Sequence, residues 1–307
     1  MRTAENPGRF KTTYDYDWHG NPTKTTSPTG AYTVHVRKIL EQLTSPDSDL
    51  SVRSMPELLA QSIQRSFPGH RRTPTGPLTR SWRDVSEDLA KFVNKAITSL
   101  KRHGALPQPA HHAVTAVYTA MKDNAALGTR LTSDPEWAAY LHALPDLPKA
   151  LQLRAYQPLI AFISTKVNPD RTVRVGHVIV DEAQDVMPLE WVVIDEINTD
   201  DHWTLLGDMN QRRSDHALHS WDHVCASLGI LDDRDKAPVV KLQRGYRSTS
   251  QIIRYANQLL PRDDRMPSSA SLQTDGVDPV VQRVPPSALA KSVVVRVGEL
   301  LDKYPSG

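Results

Sequence analysis

The chain has 307 residues with 37 basic against 35 acidic side chains, so no overall polycation argues for nucleic acid, and the length ordinarily allows about two domains. A single cysteine, Cys225, excludes an internal disulfide framework and a multi-cysteine metal site; a reducing, cytoplasmic setting is the simplest expectation. No apolar run approaches the ~18 residues of a membrane span, and the amino terminus lacks the apolar core of a secretory signal.

Residues 1–34 form a compositional zone of their own, rich in Thr, Pro, Gly and Tyr. Thr12 to Asn21 read TTYDYDWHGN, followed by Ser27-Pro28-Thr29-Gly30, and this resembles one unit of the tyrosine-aspartate (Rhs-type) repeat. One such unit cannot bury its own face without stacked neighbours. The segment is therefore a remnant of a fused gene or a chance turn-rich strand pair.

Residues 35–170 are mainly helical in pattern. Ser81-Trp82-Arg83-Asp84 is expected to cap a helix whose face carries Val85, Leu89, Phe92, Ala96, Ile97 and Leu100, with Gly104 ending it. A second helix runs through Val114, Val117, Tyr118 and Met121. A third restarts at Ser133-Asp134-Pro135-Glu136-Trp137, where proline suits the first turn. Leu159, Ile160, Phe162 and Ile163 lead towards the next segment. From Arg65 to Arg102 stand nine basic against three acidic residues, a local balance of +6. That is either a contact for nucleic-acid phosphates or a solvated helix face. His111-His112 are adjacent, which is not helical ligand spacing.

Residues 171–235 carry the most informative stretch, HVIVDEAQDV at 177–186. Val178, Ile179 and Val180 read as a strand covered on both faces, and it breaks into Asp181-Glu182-Ala183-Gln184-Asp185. Carboxylates at the carboxyl end of a parallel strand are well placed for metal and phosphate. An amphipathic stretch (Leu189, Trp191, Val192, Ile194, Ile197) leads to a second strand, Trp203 to Leu206, which ends in Gly207-Asp208-Met209-Asn210-Gln211. In residues 236–307 a third apolar segment, Val239 to Leu242, runs into Gln243-Arg244-Gly245-Tyr246-Arg247-Ser248. Strands ending in polar residues and separated by helical patterns predict a doubly wound α/β unit. Pro279 to Val284 reads as a further strand, followed by a helix through Leu289, Val293, Val294, Val297, Leu300 and Leu301.

DEAQD, then GDxxQ, then Tyr-Arg-Ser opening a helix, closely resembles motifs II, III and IV of superfamily 1 helicases of the UvrD/Rep type, with the wording around HWTLLGDMNQ and Ser220-Trp221 nearest the HelD-like branch. The resemblance implies incomplete RecA-like (P-loop NTPase-type) parallel-sheet domains, with a mainly helical insertion before motif II. It implies ATP and Mg2+ as cofactors. Asp181 would hold the metal, with Glu182 beside it as catalytic base. Gln184 would link the nucleotide to neighbouring motifs, and Gln211 would sense the γ-phosphate. Tyr246 would stack on adenine and Arg247 would reach the γ-phosphate from the second domain. Phosphoryl transfer is catalysed by positioning and charge neutralisation, which is what such a set supplies.

Three departures qualify the resemblance. No GxxxxGK[ST] phosphate cradle occurs in the sequence; Gly20 to Thr25 lacks the glycine before Lys24, follows no apolar strand and holds Pro22 inside the loop. UvrD-type relatives also carry base-stacking aromatics just after the motif III glutamine. Here Gln211 is followed by Arg212-Arg213-Ser214-Asp215-His216. Gly245 stands where many relatives have asparagine. The expectation is an internal segment of an ATP-dependent DNA helicase, inactive alone, acting on single-stranded or partly duplex DNA, with a complementary chain carrying the P-loop. The alternatives are a non-catalytic module that binds DNA or RNA polymerase, and a gene remnant without function.

Overall fold

The computed structural model describes residues 51–70, 72–171, 174–241, 245–260, 262, 265 and 271–304, with backbone alone at 171 and 245–247 and in four short strands ahead of residue 51. The protein is mixed α/β, with helices predominating and small two-stranded sheets, and it divides into two compact units, Met1–Ala237 and Pro238–Gly307.

The first unit opens with β1 (Ala4–Glu5) antiparallel to β2 (Lys11–Thr12) and β3 (Tyr14–Tyr16) antiparallel to β4 (Pro22–Thr25). A helical body follows: α1 (Met55–Ser66), α2 (Asp88–Arg102), α3 (Ala110–Lys122), a hairpin of β5 (Ala125–Ala126) and β6 (Thr129–Arg130), α4 (Pro135–His142), α5 (Leu147–Ala150) and α6 (Gln157–Val167). The centre is α6, whose residues Leu159 to Ile163 are wholly buried. A helix that is apolar around its whole circumference must be surrounded, and α1, α2 and α3 pack on it. Each fully buried Leu, Ile or Phe contributes roughly 1.5–3 kcal/mol of transfer free energy.

Helix α2 begins later than its sequence suggests. Ser81 does cap, its Oγ accepting the Arg83 N–H at 3.2 Å, but it caps one tight turn, Trp82–Val85. Asp84 turns inward there, and its Oδ2 accepts the N–H groups of Arg80 (2.7 Å) and Ser81 (3.1 Å). Ser86 is then extended, so the helix restarts at Asp88. Leu89, Ala96, Ile97 and Leu100 face the core, while Val85 joins Met187 and Ala217 in a separate small cluster. Gly104 ends the run with φ +62°, a backbone region only glycine enters without strain. Before α4, Asp134 is the residue that caps: its Oδ1 accepts the N–H groups of Glu136 and Trp137 at 2.8 and 3.2 Å.

After α6 come β7 (Val175–Val180), α7 (Pro188–Asp195), β8 (Asn198–Leu205) and α8 (Trp221–Ser227). Strands β7 and β8 are parallel, with Val178 opposite Trp203 and Val180 opposite Leu205. Their inner face packs with Trp191, Ile194, Val224 and Leu228. The expected two-sided cover of Val178-Ile179-Val180 is corrected here. Alternate strand residues point to opposite faces, and Ile179 is 64% exposed while Val180 is buried. Only one face of this pair is clothed by α7 and α8.

In the second unit β9 (Gly245–Thr249) is parallel to β10 (Ser271–Gln273), with α9 (Ser250–Ala256) following β9 and α10 (Leu289–Lys303) at the end. Three expectations are revised. Residues 239–241 have no regular structure, with Val240 88% exposed, and Leu242 lies outside the described residues. The strand forms later, at Gly245–Thr249, so Tyr246-Arg247-Ser248 lie in it; the helix opens at Ser250, capped by Thr249 Oγ1. Pro279 to Val284 is irregular as well. Prolines at 279, 285 and 286 bracket it, and a strand without a partner leaves its hydrogen bonds unmade. The helix expected after it forms as α10. Among the described residues no helix is long and apolar enough to cross a membrane.

Candidate functional site

The carboxyl ends of β7 and β8 lie side by side. Leu206 N–H donates to Val180 O at 2.8 Å, and Ala183 N–H donates back to Leu206 O at 2.9 Å, so the pairing continues one step beyond the strands. Asp181-Glu182 leave one strand and Gly207-Asp208 leave the other at the same level. Glu182 takes a left-handed conformation (φ 54°, ψ 40°), which is costly for a residue with a Cβ, by about 1 kcal/mol or more. This kink turns the chain sharply into the short turn Ala183–Asp185. Asp181 Oδ1 accepts the Glu182 N–H at 3.0 Å and supports the kink.

Gln184 is the hinge-pin of the site. It is buried, its Nε2 donates to Glu182 Oε2 at 2.6 Å, and its Oε1 accepts the Asp208 N–H at 3.0 Å. Asp208 in turn accepts the Asn210 N–H (2.9 Å) and the Nε2 of Gln211 (2.9 Å). A continuous chain thus joins Glu182, Gln184, Asp208 and Gln211 across two strand ends. Gly207 permits the approach, because a Cβ there would stand 2.3 Å from Gln184 Oε1 and 3.1 Å from the Ala183 nitrogen. A second tie lies beside it: Asp185 receives the Arg213 N–H at 3.0 Å and its Nε at 2.7 Å.

Asp181, Glu182, Asp208 and Gln211 are solvent-exposed, as a site for a soluble ligand requires. Both Asp208 oxygens are engaged within the turn, whereas among the described residues Asp181 keeps Oδ2 and Glu182 keeps Oε1 for other partners. Two carboxylate oxygens with open solvent around them suit a hard cation such as Mg2+, which binds through one or two carboxylates and keeps several waters. Arg213, two residues past Gln211, is held by Asp185. Among the described residues the two strand ends therefore present carboxylates and amides. Just below it, burial pushes the Glu190 carboxyl up to about 7, against the opposing pull of the Met187 N–H that it accepts at 2.9 Å.

Of the six residues singled out in the sequence, Asp181, Glu182, Gln184 and Gln211 come together in this unit. Tyr246 and Arg247 belong to β9 of the second unit, and their side chains lie outside the described residues. Asp208, Gly207 and the Asp185–Arg213 pair were not singled out. Asp208 follows an apolar strand end just as Asp181 does, and that was the signal available. Among the described residues no group of three metal-ligating side chains occurs, and His111 and His112 stand exposed on α3. The chain matches no family model and no curated protein.

Proposed function

We propose that this chain carries the metal- and water-side half of a nucleotide-hydrolysing site of the UvrD/HelD-like helicase type, whose activity is ATP hydrolysis coupled to movement on DNA. The observation that supports this most is the hydrogen-bonded chain Glu182–Gln184–Asp208–Gln211. Three of its residues, Glu182, Gln184 and Gln211, are ones to which the sequence resemblance gives a role at the nucleotide, and with Asp208 they share one network across two strand ends 24 or more positions apart in sequence. A RecA-like arrangement puts its nucleotide at that end of the sheet.

In this reading Asp181 would hold Mg2+ bound to ATP, with Glu182 beside it as the base, and the ion would neutralise charge on the phosphates. Glu182 accepts the proton of the attacking water. Gln184 holds the Glu182 carboxylate by one oxygen and leaves the other free for that proton. Gln211, steered by Asp208, presents its amide to the terminal phosphate. The cationic cradle for the phosphates is absent from the 307 residues, so these residues alone turn over no ATP.

Electron paramagnetic resonance of Mn2+ tests the assignment. Adding ATP to the full chain with Mn2+ is expected to give a bound-ion spectrum that Asp181→Asn abolishes. An identical spectrum in that variant would sink the proposal.

A further inference from the structure

We propose that the irregular loop between α1 and the Trp82–Val85 turn is a single-stranded nucleic-acid contact, in which Trp82 stacks on a base and Arg72 and Arg80 meet phosphates. A strand bound here would be the partner of the helicase-type site, and the proposal rests on that reading for biological sense. Its test uses no ATP or metal, so the two fail separately.

Between Glu57 and Asp84 the chain holds no acidic residue and five arginines, at 65, 71, 72, 80 and 83. The structure separates this stretch from Lys91 and Lys95 of the basic region that follows. On α2, Lys91 pairs with Asp88 at 2.7 Å and Lys95 donates to the Leu131 carbonyl at 2.9 Å, so those charges serve the fold. The loop from Phe67 to Ser81 has neither helix nor strand of its own among its described residues and is held at two points. In its middle, Thr75 N–H donates to Gln152 O (2.9 Å) and Arg154 N–H donates to Thr75 O (3.0 Å). At its end Asp84 grips the backbone of Arg80 and Ser81. The Arg80 side chain, 52% exposed, has a long 3.9 Å contact from its Nε to Asp84 and lies 4.9 Å over the Tyr156 ring, with its outer side open to solvent. An irregular segment of this length that is nevertheless pinned in place is more often functional than idle.

Trp82 gives the loop its chemistry. It is 46% exposed, yet its position is braced from below. The Arg83 guanidinium lies 4.6 Å over the Trp82 ring and is itself fixed by Glu136, and Trp137 meets Trp82 edge-on at 5.4 Å. Phe92 and Tyr140 brace Trp137 in turn, and Tyr140 O–H donates to Asp84 at 2.9 Å. A rigid exposed indole beside solvent-facing arginines suits stacking on bases and attraction to a phosphate backbone, which together bind single strands without sequence preference. It also supplies, from a different element, the aromatic that is absent after Gln211.

The test is fluorescence anisotropy of a labelled oligothymidine with the full chain at several salt concentrations. The expected result is salt-sensitive binding that Trp82→Ala weakens about tenfold or more and Trp82→Phe largely restores. Arg72→Ala is expected to flatten the log–log salt slope by about 0.7. Matching circular dichroism and melting curves ensure that the variants are folded. No binding, binding that Trp82→Ala leaves unchanged, or equal binding of polyglutamate, which would indicate an acidic protein partner, overturns the proposal.

Discussion

Gln184 Oε1 accepts the main-chain N–H of Asp208 at 3.0 Å, so a residue of the turn after β7 fixes the backbone of the turn after β8. The same side chain holds Glu182 through its amide nitrogen. Two loops that are independent in sequence therefore respond to one buried amide. Removing it is expected to loosen both. Gln184→Ala leaves the Asp208 N–H without its partner, which costs about 1–3 kcal/mol, and frees Glu182 to reorient. Gly207→Ala should reproduce that effect with Gln184 still present, because the new Cβ displaces its oxygen. Parallel losses of ATP-dependent Mn2+ binding in both variants would bear this out; a silent Gly207→Ala would speak against it.

The Glu190 carboxyl provides a pH signature. Its folded value is raised to about 7 by burial, above the ordinary 4.5. The folded state therefore holds the proton more tightly than the unfolded chain. Its contribution is fully present below about 4.5 and is lost as pH rises towards 7, at about 1.4 kcal/mol for each pH step of one between those two values. Glu190→Gln keeps an acceptor for the Met187 N–H and removes the titration. Its melting temperature is expected to match the native chain near pH 4 and to exceed it by several degrees at pH 8. A native chain whose stability rises between pH 5 and 8 relative to the variant would contradict the assignment.

Asp84 is the linchpin of the helical body. It is almost wholly buried and accepts hydrogen bonds from Arg80, Ser81 and Tyr140. Asp84→Ala strands all three donors, and about 3–5 kcal/mol of stability is expected to go with it. Tyr140→Phe removes one bond and should cost about 1 kcal/mol. Chemical denaturation of the two variants checks the ratio; equal small losses would show that Asp84 holds little.

Much of this could be read directly from residue patterns. The apolar faces of α2 and α3 carry helical periodicity strong enough to survive tertiary packing, and β7 ends where its apolar run meets Asp181. What the patterns could not supply was partnership. Val239 to Lys241 and Pro279 to Val284 carry valines as β7 does, but a strand exists only where another chain segment takes its hydrogen bonds, and β9 found β10 instead. Continuous apolarity likewise did not reveal that Ile179 faces outward. Ser81 looked like a helix cap and is one for a single turn only, because Asp84 pulls the chain inward, a long-range contact with Tyr140 that local spacing does not encode.

Turnover separates the chain from a complete enzyme. Without a phosphate cradle, magnesium-dependent ATP hydrolysis by the isolated chain is expected to stay at the buffer background. Turnover that disappears in Glu182→Gln would show instead that the site is self-sufficient.

The central claim is that these strand ends form half of a nucleotide site, and binding of a fluorescent ATP analogue with magnesium tests it most directly. The account predicts saturable binding to the native chain that Asp181→Ala abolishes. A well-folded chain that binds no analogue, or binds it equally well without the Asp181 carboxylate, would contradict it.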